Sequence, residues 1–287
     1  MIRLALAVMC LCGSAQAEIL LRQNGVMRWE RDAPWFGGWS GIEISAQGTQ
    51  MTVISDRGQI AEATLERSGG QLSGARITSN NALSGPEGAP LRRFAADAEG
   101  LAIAEDGRAF ISFEHQHRIM EVDRATGRTS GRINLPFRAA LGDNAGIEAL
   151  AVGPDGTLYA LAENPPSGGA AYPLHAYADG QWRVAAHIPQ RGPFVPVGAD
   201  FDPLGRLWVL ERALTLVGFR SRIRMFVIDP RAPVEVTVLT TFPSQHDNLE
   251  GISLWQDAQG QLHLTMVSDD NFLRIQQTQI VEYLVEE

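Results

Sequence analysis

Apolar positions along this chain fall in short runs separated by turns rich in Gly, Asp and Asn, and almost nowhere at helical spacing. Five segments share one plan: a small-residue step, an apolar strand, a Gly-containing turn, and a second apolar strand ending in an acid. They run from Trp39 to Asp56, Ala98 to Glu114, Ile147 to Glu163, Gly198 to Glu211 and Leu249 to Asp269. Aligned on Gly41, Gly100, Ala149, Asp200 (the deviant) and Gly251, the units are 59, 49, 51 and 51 residues apart. A third strand-like run follows each pair, and a fourth follows in four of the units, such as Gln181 to Ile188 and Val234 to Phe242.

Four short strands in each unit of about fifty residues is the pattern of a β-propeller. A β-sandwich would not explain one motif recurring at near-constant spacing. The second strands, such as Ala109 to Phe113, are apolar on both faces, as a sheet packed between neighbouring blades requires. The 36 residues after Gly251 and the 23 from Glu18 to Ser40 together make one further unit, so five four-stranded blades are expected, six being the alternative count. The fifth unit lacks its own fourth strand, and the run from Ile19 to Trp29 precedes any repeat. The N-terminal strand is therefore predicted to close the last blade.

Residues 1–17 read as a signal peptide: Arg3, an apolar core from Leu4 to Cys12, then Ala15-Gln16-Ala17 as a small-x-small cleavage site. Residues 18–287 form the one propeller domain, and the expected location is periplasmic or secreted. No apolar run reaches the length of a membrane span. Both cysteines, Cys10 and Cys12, lie in the leader, which excludes thiol catalysis and zinc–thiolate sites in the propeller domain. All 24 basic residues are Arg, which excludes Schiff-base chemistry and the Lys-bearing phosphate loop. A net charge of −9 argues against nucleic acid as a partner.

In an antiparallel blade the loop entering strand one and the loop leaving strand two lie at the same end. Glu99, Glu148, Asp200 and Glu250, just before the innermost strands, should then ring the channel mouth. Asp56, Glu114, Glu163, Glu211 and Asp269 should surround them. Converging carboxylates repel, and an all-oxygen donor set points to a hard cation, Ca²⁺ before Mg²⁺. The ligand candidates are Glu99, Glu148, Asp200, Glu250, Asp56 and Asp269, with Glu99, Glu148 and Glu250 also the candidate catalytic acids. The plainer reading has each acid capping its own turn or pairing with a neighbouring Arg. His115 and His117 read as a possible metal pair, more simply as solvated loop residues. Ser40 lies outside any G-x-S-x-G elbow, and Trp29, Trp35, Trp39 and Trp208 read as blade-packing aromatics.

The set WSGI (Trp39 to Ile42), SDRG (Ser55 to Gly58), AEGLA (Ala98 to Ala102), GIEALA (Gly146 to Ala151), LWVLER (Leu207 to Arg212), DNLEGI (Asp247 to Ile252) and VSDDNF (Val267 to Phe272) resembles the phytase-like family, described as having esterase-like activity of phytase. The resemblance spans nearly the whole chain after the leader. It implies a propeller that hydrolyses phosphoric or carboxylic esters with help from Ca²⁺, with a small-molecule ester as its partner. Arg57, Arg212 and His115 are the candidate substrate-binding residues, since guanidinium grips phosphate oxygens in pairs. Two further readings stand beside this: a non-catalytic binding propeller, and a lactone or sugar-acid hydrolase on a similar frame.

Overall fold

The computed structural model describes residues 19–45, 47–142, 145–165, 169–229 and 231–287; the leader and the start at Glu18 lie outside them. The outermost strand of the last sheet is β1 (Leu20–Arg28). The first blade holds β2 (Trp39–Ile44), β3 (Gln50–Ser55), β4 (Gln59–Ser68) and β5 (Gln71–Ala82); the second holds β6 (Ala98–Ile103), β7 (Ala109–Phe113), β8 (Arg118–Asp123) and β9 (Arg128–Ile133). The third holds β10 (Ile147–Val152), β11 (Leu158–Ala162), β12 (Ala171–Ala178) and β13 (Gln181–Pro189). The fourth holds β14 (Val195–Phe201), β15 (Leu207–Thr215), β16 (Gly218–Val227) and β17 (Val234–Thr240). The fifth runs β18 (Asn248–Gln256), β19 (Leu262–Asp269), β20 (Gln279–Glu286) and then β1.

This is the expected five-bladed ring with the expected closure. β1 pairs antiparallel with β20 from Leu20 opposite Glu286 to Arg28 opposite Gln279, so the last sheet joins both ends of the described chain. Second strands such as β7 are buried along their whole length, whereas the outer β17 is half-exposed throughout. Apolar side chains of adjacent blades interlock into continuous clusters; in one, Trp29 stacks on Trp39 with ring centroids 5.6 Å apart. Trp208 is fully buried, and its indole N–H donates to Asp202 at 2.8 Å. Among the described residues no helix is long and apolar enough to cross a membrane.

The small-residue step has a steric cause. Where the inner strands meet at the axis, a Cβ on Gly41 would stand 2.8 Å from that of Leu101, and one on Gly198 would stand 2.5 Å from the Glu250 carbonyl. Gly100 and Gly251 are as tightly placed. These residues form a belt that pinches the channel to about 10 Å³, room for one water. The belt also corrects the alignment of the fourth repeat. Its bulge falls between Pro196 and Gly198, matching those at Trp39/Gly41, Ile147/Ala149 and Leu249/Gly251. Gly198, not Asp200, is the fourth member, and Val197 stands where Glu99 stands in blade two.

Candidate functional site

The mouth above this belt is acidic. Asp56 leaves β3, Asp97 and Glu99 enter β6, Glu114 leaves β7, Glu148 begins β10, Glu163 leaves β11, Glu250 enters the belt on β18 and Asp269 ends β19. Four blades supply these acids, and blade four contributes Arg212. That guanidinium donates to Glu250, to Asn248 Oδ1 at 2.9 Å and to Glu163 Oε1 at 3.4 Å. Asn248 also donates to Glu250 Oε1, at 2.8 Å. Arg212 thus braces Glu250 and Glu163 from one side, and three carboxylates hold its own pKa up against its burial.

Between the acids, repulsion dominates. Burial, then the charges of Glu148, Glu250, Asp97 and Glu114, push Glu99 well above the usual carboxylate range. Burial and the charges of Glu163 and Glu250 do the same to Glu148, with Arg212 opposing. Burial with Asp97 and Glu250 lifts Asp56 to about 7; burial with Glu250 lifts Asp269 to about 8, although Asp269 accepts the Asn271 N–H. Burial also raises Asp97, Glu114 and Glu250. Near neutral pH the mouth therefore holds fewer charges than carboxyls.

One group within it has metal-ligand spacing. Single ligand atoms of Asp97, Glu114 and His115 all lie within 4.8 Å of one another. His115 Nε2 is 3.1 Å from Asp97 and 3.5 Å from Glu114. The two carboxylate oxygens among them are close enough to share one Ca²⁺ at its usual distance of about 2.3–2.6 Å. With Glu99 and Glu148 alongside and thiolates absent, the donor set suits a hard divalent cation. Asp97 escaped the sequence reading. The available signal was the D-x-E pair Asp97-Ala98-Glu99 at a strand entrance.

The other expected residues divide. Glu99, Glu148, Glu250, Asp56 and Asp269 share the mouth, together with His115 and Arg212. Arg57 lies at its edge, its guanidinium carbon 3.1 Å from the Phe272 ring centre. Asp200 does not belong to the group. It sits two residues beyond the belt, about 7 Å along the strand, and opens toward the opposite end of the channel. There it accepts the N–H groups of Phe201 at 2.7 Å and Leu254 at 2.6 Å. Its neighbour in charge is Glu43, which accepts the Ile103 N–H at 3.0 Å. Glu211 is also elsewhere: β15 runs on past it, and it is buried between Arg222 and Arg224. The two histidines part as well. They lie in a turn, where His117 is buried and bonded to the Gly142 carbonyl at 2.8 Å.

Residues 34–272 match the family described as phytase-like, esterase-like activity of phytase. The chain belongs to that family. No curated protein matches this phytase-like chain. Among solved structures, a gluconolactonase from Xanthomonas campestris is similar at 16% identity and a TM-score of 0.45, with 85% of this chain and 72% of that one covered. A virginiamycin B lyase from Staphylococcus aureus matches at 12% identity and a TM-score of 0.42, covering 93% and 99%. A luciferin-regenerating enzyme matches at 11% identity and a TM-score of 0.48, covering 90% and 94%. Likeness this loose says nothing about chemistry.

Proposed function

We propose that this phytase-like propeller is a metal-assisted ester hydrolase working at its acidic mouth. The observation that carries the reading is the convergence of acids from four blades on one opening, with Asp97, Glu114 and His115 at ligand spacing. Asp97, Glu99, Glu114 and Glu148 are the residues that would hold the cation, Ca²⁺ being the best fit to these oxygen donors, with the His115 ring beside Asp97 and Glu114. When bound, such an ion supplies Lewis acidity toward an ester oxygen and a more acidic water.

The remaining groups have parts of their own. Asp56, near 7, and Asp269, near 8, can take up and return a proton in the neutral range, which is what general acid–base catalysis needs. Glu250 is held in place by Arg212 and Asn248. Arg212 acts through Glu250 and Glu163, so it is a positioning residue. Arg57, at the edge on Phe272, is placed to meet an anionic part of a substrate. Hydrolysis adds water across the ester bond and yields an acid and an alcohol.

Metal analysis of the purified protein, followed by an ester panel with and without chelator, tests the reading. About one divalent ion per chain is expected, with turnover lost on chelation and restored by Ca²⁺. Glu148→Gln should weaken ion binding, whereas Asp200→Asn, below the belt, should leave it unchanged. Bound metal without turnover of any ester would favour the ligand-binding reading. Absence of both would defeat the proposal.

A further inference from the structure

One buried guanidinium stands behind the group formed by Asp97, Glu114 and His115. Arg118 opens β8 and is 5% exposed, its guanidinium carbon 3.9 Å from the Phe113 ring centre. One terminal nitrogen donates to the Gln116 carbonyl at 3.0 Å, the other to the Ala95 carbonyl at 2.5 Å. Ala95 lies two residues before Asp97, and Gln116 two residues after Glu114. A single fork thus joins the loop entering β6 to the turn leaving β7, just outside the acids on each side.

Both segments need holding. Arg93 in the first has a φ of 51° and His115 in the second a φ of 49°, the left-handed region where any residue with a Cβ is strained. Such conformations persist only where the surroundings over-determine them. Part of that support is local. The Glu114 N–H donates to the Asp97 carbonyl at 2.9 Å, and the Ala96 N–H closes a single 3₁₀ turn on the Arg93 carbonyl at 2.8 Å. The turn sets Phe94 edge-on against the His115 ring, with centres 4.6 Å apart. Arg118 is the side chain that bonds to both segments at once.

Its presence there is costly. Burial, and then the charge of Arg132, pulls its pKa down to about 10, with no carboxylate among the described residues acting on it, and at neutral pH it keeps its charge. A desolvated cation without an acid partner costs more than an apolar side chain of the same size would. Its charge also opposes a metal ion nearby. What Arg118 supplies is the pair of parallel donors.

We propose that Arg118 is a positioning residue of the cation site, keeping Asp97 and Glu114 at ligand spacing through the Ala95 and Gln116 carbonyls. The proposal rests on the metal-assisted reading and adds to it a residue behind the ligands. A planar fork suits the task, because it reaches two carbonyls while lying flat on Phe113; a Lys ammonium is a point donor that does neither. Groups that orient metal ligands from behind set affinity by about ten- to a hundredfold.

Titration calorimetry with Ca²⁺ on the chelator-treated full chain compares the parent with Arg118→Met, Arg118→Lys and Glu282→Gln. Kd should rise about tenfold or more in both Arg118 variants. The sign separates position from charge. Were Arg118 only a charge, Arg118→Met would bind Ca²⁺ more tightly and Arg118→Lys would bind it as the parent does. Glu282→Gln removes the buried partner of Arg67 in blade five and should leave Kd unchanged, which separates lost spacing from lost stability. Unchanged or tighter binding in Arg118→Met, parent-like binding in Arg118→Lys, or an equal weakening in Glu282→Gln overturns the proposal. So does failure of both Arg118 variants to fold, because the residue would then serve the blade and not the site. A parent that binds no Ca²⁺ defeats the metal-assisted reading itself, before any variant is compared.

Discussion

The closure of the ring can be tested at one side chain. Glu282 lies in β20 with its side chain wholly buried, and it receives both terminal nitrogens of Arg67 from blade one, at 2.7 and 2.6 Å. Asn24 of β1 donates to it at 2.7 Å and Thr265 of β19 at 3.3 Å. Burial alone would raise this carboxyl, but the bonds from Arg67, His263 and Asn24 outweigh it and hold the pKa at about 2, against an ordinary 4.5. That difference is worth about 3 kcal/mol at neutral pH. A lowered carboxylate pKa gives stability that is present above the unfolded value and lost as pH falls through the folded one. Glu282→Gln should therefore lose about 3 kcal/mol at pH 7, and the gap to the parent should shrink to about 1 kcal/mol at pH 3. In a domain of this size that is roughly 6–12 °C of melting temperature at pH 7. Urea unfolding of both proteins across pH 3–7 measures the gap directly, because titrations away from Glu282 and its partners cancel in the difference. A loss under about 1 kcal/mol at pH 7, or a gap constant with pH, would refute the assignment of the closure to this ion pair.

The mouth has the opposite sign. Its carboxyls have raised pKa values, so their contribution is full below about pH 4 and is lost as pH rises through about 7 and 8, the values of Asp56 and Asp269. Chelator-treated protein should melt lower at pH 8 than at pH 5, and millimolar Ca²⁺ should remove most of that drop; calorimetry that finds no such crossover counts against a cation at the mouth. Gly198→Ala should destabilise by more than about 2 kcal/mol, because a Cβ there meets backbone, while an exposed turn glycine such as Gly69 carries only a conformational cost. We also propose export with removal of residues 1–17: mass spectrometry of protein recovered from the periplasm or medium should find Glu18 first, and an intact leader there would refute it.

The ring, its blade number and its closure were all legible because each rests on a repeated local pattern. Apolar strands of fixed spacing have few other ways to bury both faces, and a fifth unit one strand short needs a strand from somewhere. The site was legible only where the repeat was regular. Glu99, Glu148 and Glu250 occupy one position in three units, directly before the belt residue, and they converge. Blade four breaks that rule with Val197 before Gly198. Its conspicuous acid, Asp200, invited an alignment two residues out, which carries a side chain through the belt to the other cavity. Glu211 was misplaced for a different reason: the β15–β16 hairpin is longer than its counterparts, so the acid that ends a strand elsewhere lies inside one here. Its partners Arg222 and Arg224 are eleven and thirteen residues away, and only the hairpin register brings them opposite. Asp97 was overlooked because its role depends on a turn in which His115 takes a positive φ of 49° and reaches back toward it.

Buried carboxylates stand at both ends of the channel, and their partners separate structure from chemistry. Below the belt, Asp200 accepts the N–H of Leu254 in the next blade and Glu43 accepts that of Ile103. Each carboxylate there staples two inner strands, a sufficient structural reason for its presence. Above the belt, eight carboxyls face mainly one another, with the Arg212 guanidinium braced against Glu250 and the His115 ring beside Asp97 and Glu114. A propeller needs no such arrangement to stand. Apolar residues in those places would pack without the desolvation and repulsion that raise the carboxyl pKa values of the cluster. The acids at the upper end therefore work against stability in the metal-free protein, and a cation would turn the same repulsion into a cross-link between blades two and three.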